Sequence, residues 1–195
     1  MQTERINDES LDLQQQKEAL MFIIHFLGDI HQPLHTEHYG RGGNDLKVNF
    51  NGSKTNLHAV WDTHIPMALR GLPVKEGDDP IIKAAASAWA KDLASSSITP
   101  ALLQKQECVN LADAQGCALK WATESNAKLC SYVLKPGKDW LEQNDLDGVY
   151  YQGATSILED SVRKGGLRLA AWLNAIAAAR SSATFVVQSE DRMEM

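Results

Sequence analysis

The sequence predicts a mainly α-helical domain carrying one small β-hairpin, and three observations predict it. Apolar residues recur at three- and four-residue spacing in five separate stretches, the period of a helix that buries one face. Strict alternation occurs once, at Leu46, Val48 and Phe50, and runs into Asn51-Gly52, a pair that accepts the left-handed backbone of a two-residue hairpin turn. At 195 residues and 44% hydrophobic the chain is long enough for one domain with a sizeable core, and no internal repeat divides it.

Taken in order, Leu11 to about Ile30 reads as a long helix, polar first and apolar in its second half, stopped near Pro33. The hairpin comes next. "NLHAVWDTHIPMAL" is a helix with Asn56 as its N-cap and a kink or break expected at Pro66. "DDPIIKAAASAWAKDLA" opens with acidic caps and a proline in the first turn, a standard helix start. "ALKWATESNAKLCSYVL" is the fourth helix, and the fifth runs from about Val149 to Arg180 with an interruption at Gly165-Gly166. Residues 1–180 form the predicted domain, and 181–195, which fit no helical pattern, are read as a flexible tail.

A net charge of −6 and a pI near 5.5 argue against holding a polyanion through a broad basic surface. The first sixteen residues lack the pattern of a secretory signal, and the longest apolar run, "LRLAAWLNAIAAA", is too short and too interrupted to span a bilayer. The cysteines, Cys108, Cys117 and Cys130, are odd in number. Two readings stand: a disulfide across "CVNLADAQGC", or three reduced thiols.

The chemistry concentrates in "HFLGDIHQPLH". His25 and Asp29 are four residues apart, so on a helix both project from one face, the geometry of two ligands for one metal. His58 and Asp62 repeat that spacing on a second predicted helix, which suggests two helices facing one another. His35 lies beyond the helix-stopping proline, free to reach a third direction. A lone His-x-x-x-Asp pair is commonly a surface hydrogen bond, and a buried one can simply satisfy itself. Here the pair is doubled, His25 follows the apolar "MFII", and the donors without a nearby thiolate suit catalytic zinc. His31 points away from His25 and reads as a packing residue or an outer support, while His38 and His64 read as surface residues. Gly42, Gly43 and Asn44 either allow a turn or let a flat ligand approach bare backbone, with the Asn44 amide against a base edge.

"HFLGDIHQPLH", "GGND" and "NLHAVWDT", in that order and spacing, resemble the zinc-dependent single-strand nucleases of fungi and plants, the S1/P1 or type I nucleases. The resemblance continues through "WATES", "DLDGVYYQGA" and "GGLRLAAWLN". It implies a helical fold of the phospholipase C/P1 nuclease kind, represented here by its C-terminal two thirds without its N-terminal helices. It also implies three zinc ions: His25 and Asp29 on the first, Asp29 bridging as a catalytic residue to the third, and His35, His58 and Asp62 on the second. Gly42 and Asn44 match base-binding positions.

The implied activity is hydrolysis of single-stranded DNA and RNA to 5′-phosphate products, with 3′-nucleotidase action on mononucleotides, by a secreted monomer that needs no membrane. The N-terminal tryptophan and the later histidine and aspartate ligands of the family have no match in this chain. Cys130 would pair within that same segment, and loss of the segment would expose apolar surface. The alternatives are a zinc phospholipase C, disfavoured by Asp62 and the Gly-Gly-Asn stretch, and a non-catalytic zinc-binding remnant. "NGS" at Asn51 is both a glycosylation acceptor and a good hairpin turn.

Overall fold

The structure, a computed structural model, describes residues 2–74, 79–95 and 108–191, with side chains through Ser181 except at Ser95. After a short α1 (Gln2–Asn7), α2 spans Leu13–Asp29. Asp12 and Gln15 close its N-terminus as a capping box, each side chain accepting the other's backbone N–H. Pro33 does not merely stop the chain. It opens a 3₁₀ turn, Pro33–Thr36, which carries His35.

Strands β1 (Lys47–Phe50) and β2 (Ser53–Asn56) pair antiparallel with Phe50 opposite Ser53. Asn51 and Gly52 take φ of 50° and 70°, the left-handed pair that a tight hairpin requires. Their N–H groups both donate to the Asp145 carboxylate, at 2.8 and 2.7 Å, which pins the turn from 94 and 93 residues away in sequence.

Asn56 caps the next helix, its side chain accepting from Ala59 N at 2.9 Å. Helix α3 (Leu57–Ala59), a π-helical segment Val60–His64 and α4 (Ile65–Leu69) run on continuously. Of the kink or break expected at Pro66, the break does not occur. Proline sits in the first turn of α4, where its missing N–H is tolerated.

Helix α5 is Pro80–Ser95 and α6 is Ala114–Lys128, which begins earlier than the apolar pattern suggested because Asp113 caps it by accepting from Gly116 N. A second π segment, Leu129–Val133, and a short α7 (Lys138–Gln143) lead to α8 (Val149–Asp191). Helix α8 is not interrupted at Gly165-Gly166, and its backbone passes the expected end at Arg180. Gly165 is where the helix meets the turn that follows α2: a Cβ there would lie 3.4 Å from the His31 ring. A side chain would meet ordinary contact at Gly165 and open space at Gly166, and neither glycine breaks the helix.

Two apolar clusters form the core. One gathers Leu34, Phe50, Leu57, Trp61, Ile65, Val133 and Leu158 around the hairpin and α3–α4. Inside it the Trp61 indole N–H donates to the Tyr150 hydroxyl at 2.9 Å, which donates in turn to Val133 O at 3.0 Å. The other packs Ile6, Ile23, Leu27, Cys117, Trp121 and Trp172 between α1, α2, α6 and α8. Cys108 and Cys117 form a disulfide, which selects the first of the two cysteine readings, and Cys130 is free and exposed. Among the described residues no helix is long and apolar enough to cross a membrane.

Candidate metal centre

Helix α2 ends by aiming His25 and Asp29 along one face, Nε2 to Oδ2 at 3.1 Å. That face is not buried as the preceding "MFII" suggested: the His25 side chain is 67% exposed, and Met21, Phe22, Ile24 and Phe26 beside it are exposed too. The reason is that Ile23 and Leu27 point into the core, while these neighbours lie on the other faces of the helix.

From Asp29 the contacts run on. Its Oδ1 is 3.8 Å from His35 Nδ1, and the other His35 nitrogen, Nε2, is 3.3 Å from Asp62 Oδ1. Asp62 Oδ2 faces His58 Nε2 at 3.0 Å, and the rings of His35 and His58 stack at 5.0 Å. The 3₁₀ turn and the α3–π rod therefore bring one ligand atom each from His35, His58 and Asp62 within 4.8 Å of one another.

The donor set fits zinc: two imidazoles and a carboxylate are accepted zinc ligands, and ligands at zinc bond lengths stand roughly 3.3 Å apart around a tetrahedron. The observed 3.3 and 3.0 Å separations are of that size.

Electrostatics support an anionic Asp62. Burial pushes its carboxyl up, but hydrogen bonds from His35 and Gln32 and the nearby imidazoles outweigh burial and leave it below the usual carboxylate range. His35 is raised, chiefly by its hydrogen bond to Asp62, against the lowering effect of burial.

The remaining predicted residues sort by their contacts. His58 Nδ1 lies 2.7 Å from Gly42 O, so the N–H belongs on Nδ1 and the Nε2 lone pair is left for a cation. Gly42 has φ +64°, and a Cβ on it would come within 2.8 Å of Leu34 O, so the turn fits only glycine. Asn44 donates its amide to Arg41 O at 2.9 Å, within the same loop.

His31 is buried; its Nδ1 donates to Leu27 O at 2.7 Å, and its Nε2 accepts from Arg168 Nη1 at 3.0 Å. Burial pushes it down to about 4, with the Arg168 charge adding to the effect. Arg168, itself buried, donates to Glu124 at 2.6 Å and lies over the Trp121 ring. His38 is exposed, but His64 is not a surface residue: it is half-buried against Phe50, Nε2 3.1 Å from Thr55 Oγ1.

A cavity of about 380 Å³ opens beside Asp29, His35 and Asp62, walled by Trp61, Pro66 and Trp89. Sequence reasoning missed Gln32, whose amide donates to Asp62 Oδ1 at 2.8 Å. Its place between Asp29 and His35, directly before a proline that starts a turn, was the one signal the sequence offered.

The family model for S1/P1 nuclease matches residues 1–178. The chain belongs to the S1/P1 nuclease family. It is 36% identical over 178 residues to nuclease P1 of Penicillium citrinum, covering 89% of this chain and 63% of that protein. Against nuclease S1 of Aspergillus oryzae it is 35% identical over 163 residues, 82% of this chain and 54% of the relative. Endonuclease 2 of Arabidopsis thaliana is 29% identical over 160 residues, 82% of this chain and 51% of the relative. The chain thus spans between about half and two thirds of the length of these S1/P1 relatives.

Proposed function

We propose that this chain is the metal-holding part of a zinc-dependent endonuclease that hydrolyses phosphodiester bonds of single-stranded DNA and RNA. The products carry 5′-phosphates, and mononucleotides are dephosphorylated at the 3′ position. The observation that carries the reading is the convergence of His35, His58 and Asp62, from two separate elements, within 4.8 Å. Membership of a family whose named relatives are nucleases supplies the reaction class.

His35, His58 and Asp62 would hold one zinc ion, and His25 and Asp29 would contribute to further ions, with Asp29 bridging. Bound zinc supplies Lewis acidity, lowering the pKa of water for attack on phosphorus and neutralising phosphate oxygens. The chain's own groups set the stage. The Gly42 carbonyl keeps the His58 proton on Nδ1, and hydrogen bonds keep Asp62 ionised. The Trp61–Pro66–Trp89 wall dries one side of the site. Because the chain carries net charge −6, phosphate is held by cations at this cluster rather than by a lysine surface, which favours one unstacked nucleotide over a rigid duplex. In this reading Gly42 serves the nucleotide through His58, Asn44 offers its carbonyl side to a base, and the protein acts outside the cell as a monomer.

The test is cleavage of a labelled 20-mer, single-stranded and duplex, with zinc or with chelator, followed by end-group analysis. Cleavage of the single strand alone, abolished by chelator and leaving 5′-phosphates, is the expected result. A second reading has one observation in its favour: among the described residues, His35–His58–Asp62 is the single three-ligand group. One zinc bound with no hydrolysis of any phosphodiester would replace the nuclease with a zinc-binding protein.

A further inference from the structure

We propose that Gln32 is a positioning residue of the metal centre, a single amide that caps the turn presenting His35 and at the same time holds the carboxylate of Asp62. The inference rests on the metal-binding reading of the His35–His58–Asp62 cluster, not on hydrolysis.

The geometry is specific. Gln32 has extended backbone and is the N-cap of the 3₁₀ turn Pro33–Thr36; its Oε1 accepts from Leu34 N at 2.5 Å. Its Nε2 donates to Asp62 Oδ1 at 2.8 Å, across 30 residues of sequence. Which end of the amide faces which partner is dictated by chemistry: the Leu34 N–H can only donate and an ionised carboxylate can only accept.

One side chain thus ties the two elements that supply the ligands. Pro33, with its fixed φ, makes the capped turn stiff, so the amide is anchored on one side before it reaches Asp62. Asp62 Oδ1 then has two partners, Gln32 Nε2 and His35 Nε2, while Oδ2 is directed at His58. A carboxylate restrained in this way loses less freedom when it takes up a cation.

The side chains nearest glutamine in shape do not fill both roles. Glutamate lacks the donor and would set a second carboxylate against Asp62; lysine lacks the acceptor and would compete with the cation; asparagine keeps the cap but is one methylene short of Asp62. The neutral amide also leaves the charge of the ligand set unchanged.

The full chain and the variants Gln32→Asn and Gln32→Met are titrated with zinc against a chromophoric chelator and with cobalt(II), read by its d–d absorption, and metal-free melting is followed in EDTA. Gln32→Asn should melt close to the parent yet bind zinc about 10–100-fold more weakly with an altered cobalt spectrum. Gln32→Met should show the same affinity loss and a lower melting point.

Binding of both variants within about twofold of the parent, with an unchanged cobalt spectrum, overturns the proposal. So does an affinity loss in Gln32→Met that Gln32→Asn fully restores, since that is capping alone. If the parent binds zinc without cleaving nucleic acid, only the nuclease reading fails. If the parent binds no zinc, both fail.

Discussion

At the scale of single residues, the centre is a set of side chains whose protons have been assigned by their neighbours. His58 has its Nδ1 proton committed to Gly42 O, so its Nε2 is the nitrogen left to face a cation. His58→Ala should abolish zinc binding at the cluster, as measured by metal content after dialysis; undiminished zinc would remove His58 from the ligand set. His31 shows the opposite use of a histidine. Its folded pKa of about 4 lies below the ordinary 6.5 because it is buried against Arg168. Between those values the unfolded chain binds the extra proton, so the stability held at neutral pH is lost as pH falls from about 6.5 toward 4. The loss is about 3 kcal/mol in full. Thermal melts of the parent should fall through that window, and those of His31→Gln, which does not titrate there, should fall less. Equal slopes would show that His31 is not the group responsible.

At the scale of elements, the Gly42-Gly43 turn packs between the His35 turn and the His58 helix. Gly42→Ala meets both a left-handed φ and the Leu34 carbonyl, so it should cost about 1–3 kcal/mol in stability and weaken zinc binding by moving the carbonyl off His58. Calorimetric melting and zinc titration check the two effects separately. An alanine variant with parental values in both would mean that the loop adapts freely.

Periodicity made α2, α5 and the hairpin legible, because each has its apolar residues and its cap or turn signal within one short window. The two glycines of α8 misled because the helix runs through both, Gly165 lying against a ring 134 residues earlier, and Pro66 misled because the preceding π segment prepares its place. Helix α7 has only six residues, too few to show a period. Four of the ligand candidates were readable from the doubled His-x-x-x-Asp spacing, and His35 from its place beyond Pro33. The Gln32 bridge and the Arg168–His31 contact join residues 30 and 137 apart, and spacing carries no sign of either.

At the scale of the molecule, α8 passes through both apolar clusters, with Tyr150 and Leu158 in the one near the candidate ligands His35, His58 and Asp62 and Trp172 and Ile176 in the other. Trp172 is buried, stands edge-to-face on Trp121, and donates its N–H to Thr3 Oγ1 at 3.3 Å, so it also docks α1. Trp172→Ala should cost about 3–5 kcal/mol in denaturant unfolding and release α1 to proteolysis. Zinc affinity of the His35–His58–Asp62 group measured below the melting point should be retained, because the elements that carry these three residues pack in the other cluster through Leu34, Leu57 and Trp61. Loss of zinc affinity in the folded variant would mean that the clusters are one cooperative unit around the centre. The bare face of α2 is the second molecule-wide feature: an apolar strip of Met21, Phe22, Ile24 and Phe26 running up to His25 ties the chain's solubility to the surroundings of a candidate ligand.

The disulfide has a consequence for how the chain is made. Three thiols allow three pairings; one joins Cys108 to Cys117, and the exposed Cys130 takes part in both others. Cys130 is therefore a competitor in oxidative folding and a ready site for linking two chains through thiol exchange. Replacing it with serine leaves a single intramolecular pairing, and oxidation then has only one cross-link to find.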